Sequence, residues 1–128
     1  MTSKTSPGGE LPPSVADVRA YWEAHPLLSY EDETVGKETY FRILDKAKRE
    51  DAETFAFPYW EFDQWQNQKV LDIGCGPGWV SVQYAAGGAQ VTSVDLTDMA
   101  AKLAHTHFRL KGLTPHIGVA SAETLPFA

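Results

Sequence analysis

The run Val70-Leu71-Asp72-Ile73-Gly74-Cys75-Gly76-Pro77-Gly78 places an apolar strand-like segment, an acid and three alternating glycines in immediate succession. Glycines so spaced let backbone approach a ligand that side chains would exclude. A helix starting just after them points its unpaired N–H groups at the same spot, which suits an anionic group such as a carboxylate or phosphate. Asp95 stands 17 residues beyond Gly78, at the end of a second strand-like run. An acid there, at the carboxyl edge of a sheet, can accept hydrogen bonds from both hydroxyls of a ribose. The chemistry suited to this constellation is the gripping of a ligand that contains a nucleoside.

The ligand can be narrowed. A dinucleotide fingerprint G-x-G-x-x-G begun at Gly74 needs a glycine at position 79, where this chain has Trp79. It also brings pyrophosphate close to Asp72, an adverse pairing of charges. An acid just before the turn suits a ligand that carries an ammonium group. S-adenosylmethionine has an ammonium and a carboxylate at one end, a ribose in the middle and no phosphate, and it is the expected cofactor. A nicotinamide-dependent oxidoreductase is the disfavoured alternative.

Alternating strands and helices must position these residues. Lys69 to Ile73 reads as a strand, Gly74 to Gly78 as a glycine turn, and Trp79 to Ala86 as a helix stopped by Gly87-Gly88. Gln90 to Asp95 is a second strand, Thr97 caps a helix running through Lys111 to Gly112, and His116 to Ala120 is a third strand. This β-α-β-α-β order predicts a parallel sheet with right-handed crossovers, the first half of a doubly wound α/β, Rossmann-like fold.

Ahead of it, residues 1–13 are rich in proline and glycine and are expected to be a flexible tail. Residues 14–68 are expected to form a helical, aromatic-rich arm. Ser14 caps a short amphipathic helix carrying Val15, Val18 and Tyr21 or Trp22, closed by His25-Pro26. A second helix is expected from about Lys37 to Glu53, with Tyr40, Leu44 and Ala47 on one side and Phe41 and Ile43 beside them. The aromatics Phe55, Phe57, Tyr59, Trp60, Phe62 and Trp65 either pack this arm onto the domain or supply a lid over a ligand.

Composition excludes other roles. The 128 residues give room for one modest core, and 11 Lys+Arg against 17 Asp+Glu leave a net charge of −6. The single basic cluster, Lys46, Lys48 and Arg49, is flanked by acids, so no nucleic-acid partner is expected. No apolar run approaches the roughly 18 to 20 residues that cross a bilayer, and the first residues lack a signal-peptide core. Cys75 is the single cysteine, so neither an internal disulfide nor a zinc cluster is expected. A soluble, cytoplasmic protein is the expectation. His105 and His107 are two apart on a helix and point to different faces, a poor metal pair, and all four histidines are expected to be structural or solvated. Cys75 reads as a small turn-filling residue rather than a nucleophile, because no His/Asp partner accompanies it.

VLDIGCGPG, VTSVDLT and ASAETLPF together resemble the class I S-adenosylmethionine-dependent methyltransferases, in particular those acting on small molecules; the matching segments span Val70 to Phe127. The segment YWEAHPLLSYE with Tyr40-Phe41-Arg42 resembles N-terminal arms of some bacterial members. The resemblance implies that Gly74, Cys75 and Gly76, in the turn closed by Gly78, line the methionine end, with Asp72 aiding its ammonium directly or through water. It implies that Asp95 holds the ribose, Leu96 lies against the adenine, and Ala122 with Ser121 forms the adenine loop, with Glu123 either part of that loop or a solvated acid. Ser121 stands where the family commonly has an aspartate, so one charge is missing there.

The family's sheet is ordered 3-2-1-4-5-7-6, and residues 69–128 supply about two βα units plus a strand. The first strand is therefore expected at an edge, open to self-association or to a partner chain. Methyl transfer to a small-molecule acceptor is the implied activity; no catalytic base is identified. The alternative is a non-catalytic fragment or remnant that binds cofactor weakly or needs a partner to complete the sheet.

Overall fold

The computed structural model describes residues 12–25, 34–52 and 54–127. The first eleven residues of the expected tail, the segment 26–33 of the arm and the expected helix end at Glu53 lie outside these. Among the described residues no helix is long and apolar enough to cross a membrane.

Three parallel strands form one sheet: β1 (Lys69–Ile73), β2 (Gln90–Asp95) and β3 (Ile117–Val119), in the order β1-β2-β3. The strands and the helices that join them follow the glycine stops and caps of the sequence, and β3 is one residue shorter at each end than expected. Among the described residues five α-helices accompany the sheet: α1 (Val15–Ala24), α2 (Glu38–Ala47), α3 (Phe57–Trp60), α4 (Trp79–Ala86) and α5 (Asp98–Leu110). Among the described residues β1 has a neighbour on one side only, as its place in the expected order requires.

Capping chemistry sets the helix starts. Ser14 accepts from the Asp17 amide at 3.1 Å while Asp17 accepts from the Ser14 amide at 2.8 Å, a reciprocal box. Thr97 accepts from the Ala100 amide at 3.1 Å and opens α5. The helix expected from Lys37 keeps α-helical pitch only to Ala47 and widens to a π-helical turn over Lys48–Ala52.

The core between the arm and the sheet is aromatic. Tyr40, Phe41 and Leu44 of α2 are buried with Trp79 and Leu103, and Phe57, Trp60 and Phe62 pack around them. The Trp79 ring has Phe57, Trp60 and Phe62 at 5.8, 5.5 and 5.8 Å, and its Nε1 donates to Asp45 at 3.0 Å. Two expectations are corrected here. Ile43 is 51% exposed, because the face of α2 that turns inward is set by Tyr40, Phe41 and Leu44. Within the 55–65 stretch only Phe57, Trp60 and Phe62 pack inward, while Phe55 and Tyr59 are 75% and 82% exposed.

Candidate functional site

The turn after β1 is tied down by β2. The Val94 carbonyl accepts from both the Gly74 and Cys75 amides, at 2.8 and 3.0 Å, and Gly78 donates to the Cys75 carbonyl at 2.9 Å. Gly74, Gly76 and Gly78 have φ of +74°, +52° and +79°, a region that side chains resist. At Gly74 and Gly76 a Cβ would meet nothing within 4 Å, so the turn presents bare backbone to open space. Gly78 differs, because a Cβ there would stand 3.0 Å from the Cβ of Ala104. It faces α5 rather than open space and serves the close approach of α4 to α5.

Two carboxylates flank the turn. Asp95 accepts from the Gly76 amide at 2.9 Å with one oxygen and from the Thr97 amide at 3.1 Å with the other. Asp72 accepts from the Ser81 hydroxyl at 2.5 Å. Burial pushes the Asp72 pKa up; the Ser81 hydroxyl opposes this and the nearby Asp95 charge adds to it. The same turn carries Cys75, whose thiol burial pushes up to about 12, with the Asp95 and Asp72 charges adding to the rise. The thiol stays protonated and makes a poor nucleophile.

These groups open onto a cavity of about 460 Å³, lined among others by Asp72, Gly74, Cys75, Gly76, Asp95 and Leu96. The volume falls in the range of small-molecule sites, roughly 300 to 1,000 Å³. An adjoining cavity of about 270 Å³ is lined by Leu96, Ser121, Ala122 and Glu123 and shares Gly74 and Val18 with the first. The expected contacts thus divide into two connected chambers, with Leu96 between them and Gly78 in neither. The Ser121 hydroxyl accepts from the Glu123 amide at 3.2 Å, which shapes this loop.

The amides of Gly74, Cys75, Gly76 and Gly78 are all satisfied within the fold, so the glycines supply room rather than free donors. In the first turn of α4, whose amides its own ladder does not pair, the Ser81 amide donates to Asp72, and the amides of Trp79 and Val80 stand ahead of it. Neither cavity is lined by any aromatic of the 55–65 stretch. The aromatic that reaches the larger one is Trp22 of α1, alongside Val18.

Helix α1 has no buried residue and is held by an Arg19 bond to the Leu96 carbonyl at 3.1 Å and by Glu23 accepting from the Asp98 amide at 2.7 Å. Sequence reading missed Trp22 at the site because the bonds that hold its helix at the crevice join residues 75 and 77 positions apart. His107 is fully buried, with its ring 3.0 Å from the Pro77 carbonyl and stacked on Phe41 at 4.5 Å, a structural role. Among the described residues no cluster of metal-binding side chains occurs.

The room over Gly74 and Gly76 and the paired carboxylates suit a cationic ligand with a slender amino-acid end, and S-adenosylmethionine meets both conditions. Comparisons with known proteins point the same way. Residues 70–128 match the methyltransferase domain family. The chain is 45% identical over 56 residues to the ubiquinone biosynthesis O-methyltransferase of Nitrosospira multiformis, covering 44% of this chain and 23% of that protein. It is 59% identical over 32 residues to the malonyl-[acyl-carrier protein] O-methyltransferase of Erwinia billingiae, covering 25% of this chain and 13% of that protein. The chain spans about a quarter or less of the length of these relatives.

In fold it resembles the YcgJ protein of Bacillus subtilis (TM-score 0.53, 23% identity, 59% of this chain and 33% of that one). It also resembles an S-adenosylmethionine-dependent methyltransferase of Clostridium acetobutylicum (TM-score 0.51, 22% identity, 70% of this chain and 38% of that one). Residues 70–128 are thus similar in sequence to the methyltransferase domain family, and the fold is that of the solved structures named here.

Proposed function

We propose that the crevice between the β1 turn, Asp95 and the 121–123 loop binds S-adenosylmethionine and serves methyl transfer to a hydroxyl of a small-molecule acceptor. The observation that carries this reading is the placement of two carboxylates, Asp72 and Asp95, on either side of an uncovered glycine turn in one cavity. Two acids in one crevice repel phosphate and favour a ligand bearing both an ammonium and a sulfonium.

When bound, S-adenosylmethionine supplies a methyl group already activated by its sulfonium. The residues of this chain bind and orient. Asp72 faces the ammonium, Gly74 and Gly76 leave room for the amino-acid end, and Asp95 accepts from the ribose hydroxyls through lone pairs that Gly76 and Thr97 leave free. Leu96, Ser121, Ala122 and Glu123 border the adenine chamber. Val18 and Trp22 exclude water from above. Such a transfer needs alignment and desolvation more than acid–base chemistry, and no side chain is assigned as a base. The hydroxyl acceptor follows the names of the curated relatives, and a cytoplasmic setting and the division into an arm and a cofactor domain near residue 69 belong to the same proposal.

Calorimetry of this chain with S-adenosylmethionine tests the reading. Saturable binding by the wild type, weakened at least about tenfold in Asp95→Ala, is expected. Absence of binding by the wild type, or undiminished binding by the variant, would overturn it. A second reading is favoured by β1, which among the described residues pairs on one side only and whose Leu71 and Ile73 are 42% and 47% exposed on the sheet face away from α4. In that reading cofactor is held firmly only when further strands, a second copy or a partner chain pair with β1; sedimentation with and without cofactor separates the two.

A further inference from the structure

Asp72 is not a free acid. In the parallel register of β1 and β2 it stands directly beside Ser93, and the two residues therefore face the same layer. That layer is α4, which presents Ser81 between them. The Ser93 hydroxyl donates to the Ser81 hydroxyl at 2.7 Å, and the Ser81 hydroxyl donates to Asp72 at 2.5 Å. Both serines are fully buried, each at 0% exposure, whereas Asp72 opens onto the large cavity.

The direction of the chain is set by chemistry. A hydroxyl has one proton to donate, and a carboxylate can only accept, so each proton points toward Asp72. A buried serine pair on the face that β2 shares with Val91 costs desolvation unless each member is satisfied, and here each satisfies the next. The Ser81 amide, in the first turn of α4, also donates to Asp72, so Ser81 holds this carboxylate through both its hydroxyl and its backbone.

We propose that Ser81 and Ser93 are positioning residues: they lock one oxygen of Asp72 and leave the other turned toward the ammonium of the bound ligand. This rests on the cofactor reading above. The charged form of Asp72 is held by donors from behind, so the carboxylate is kept ready in a half-buried place where burial by itself would favour the neutral acid. The other groups that interact with Asp72 are the Ser81 amide, Asp95 on β2, the Cys75 thiol in the turn and Tyr84 on α4, and Lys48 lines the same cavity.

The test compares the wild type, Ser81→Ala and Ser93→Ala for binding of S-adenosylmethionine and of 5′-methylthioadenosine, which lacks the amino-acid end, from pH 5 to 8. For Ser81→Ala the dissociation constant for S-adenosylmethionine should rise about tenfold, as expected on loss of a hydrogen bond to a charged group. Its acid limb should move to higher pH, because removal of a donor raises the Asp72 pKa further. Binding of 5′-methylthioadenosine should not change. Ser93→Ala should shift the same limb in the same direction by less. A merely structural role would weaken both ligands together and leave the acid limb in place, and that result overturns the proposal.

In the folded wild type, the Ser81 and Ser93 hydroxyl protons should be observable by NMR as slowly exchanging signals; rapidly exchanging hydroxyls would overturn the relay whether or not the variants fold. Failure of the wild type to bind either ligand would instead sink the cofactor reading.

Discussion

The amide of Gly76 donates to a carboxylate oxygen of Asp95 at 2.9 Å, so the glycine turn that follows β1 is held open by the acid that ends β2. The second oxygen of Asp95 accepts from both the amide and the hydroxyl of Thr97, at 3.1 and 3.3 Å. One side chain thereby joins the turn, the strand and the cap of α5. Replacement by alanine should do two things at once. Cofactor binding should fall at least about tenfold, and stability should drop by about 1–3 kcal/mol because the two amides lose a charged acceptor. Urea unfolding beside calorimetry checks both, and a variant that loses binding with unchanged stability would show the Gly76 and Thr97 bonds to be unimportant.

Gly76 and Gly78 should respond differently to alanine. Both have positive φ, which costs of order 1 kcal/mol or more for a side chain. At Gly76 the added methyl enters open space at the cavity, so Gly76→Ala should fold and bind cofactor poorly. At Gly78 the methyl would stand 3.0 Å from the Ala104 Cβ and 3.1 Å from its Cα, forcing α4 and α5 apart. Gly78→Ala should lose a further ~1–3 kcal/mol and show a lowered Tm before any effect on binding is considered.

Asp72→Asn should separate stability from function. The raised Asp72 pKa means that its stabilising contribution is present below the ordinary carboxylate range and is lost as pH rises through the raised value. At neutral pH the charged form is therefore a cost to the fold. Asparagine keeps an acceptor for the Ser81 hydroxyl and removes the charge. A Tm equal to or above that of the wild type, with cofactor affinity reduced at least about tenfold, is the expected pair of results.

His107 should make the protein acid-sensitive. Its ring nitrogen contacts the Pro77 carbonyl, which only accepts, so Nδ1 carries the proton and donates. Burial pushes the His107 pKa below its ordinary value of 6.5. The unfolded chain then takes up a proton before the folded one does. Stability is full above the ordinary value and falls as pH drops below it. Urea midpoints at pH 7.5 and 5.5 should differ more in the wild type than in His107→Gln; equal differences would remove His107 as the cause.

Cys75 should be inert in the folded chain. Its thiol is buried and held protonated to about 12 by burial and the neighbouring carboxylates. A disulfide reagent at pH 8 should modify the native protein far more slowly than the urea-unfolded one, and saturating cofactor should slow it further.

The strands, the glycine turn and α4 and α5 were legible because their signals are local. Caps, stops and apolar runs act within a few residues of themselves, and Trp79–Ala86 and Gln90–Asp95 fall where those signals place them. The arm was harder. Its helices were readable from Ser14 and from the spacing of Tyr40 and Leu44, but the inward choice of Phe41 over Ile43 depends on what lies opposite, namely Leu103, Trp79 and the His107 ring. The aromatics after residue 54 carry no pattern that separates the partly buried Phe57 and Trp60, neighbours of Trp79, from the exposed Phe55 and Tyr59.

The chain itself determined the order of elements, the position of a flexible-backbone turn between an acid and a helix, and the second acid one strand later, since each follows from residue type and short spacing. Tertiary structure decided how those parts are used. It tied Asp95 to Gly76, spent the loop amides on Val94, set Gly78 against Ala104, brought Trp22 to the crevice and lined up Ser93, Ser81 and Asp72. Contacts of that kind join residues far apart in sequence, and parallel pairing with helical crossovers is what brings them within bonding distance.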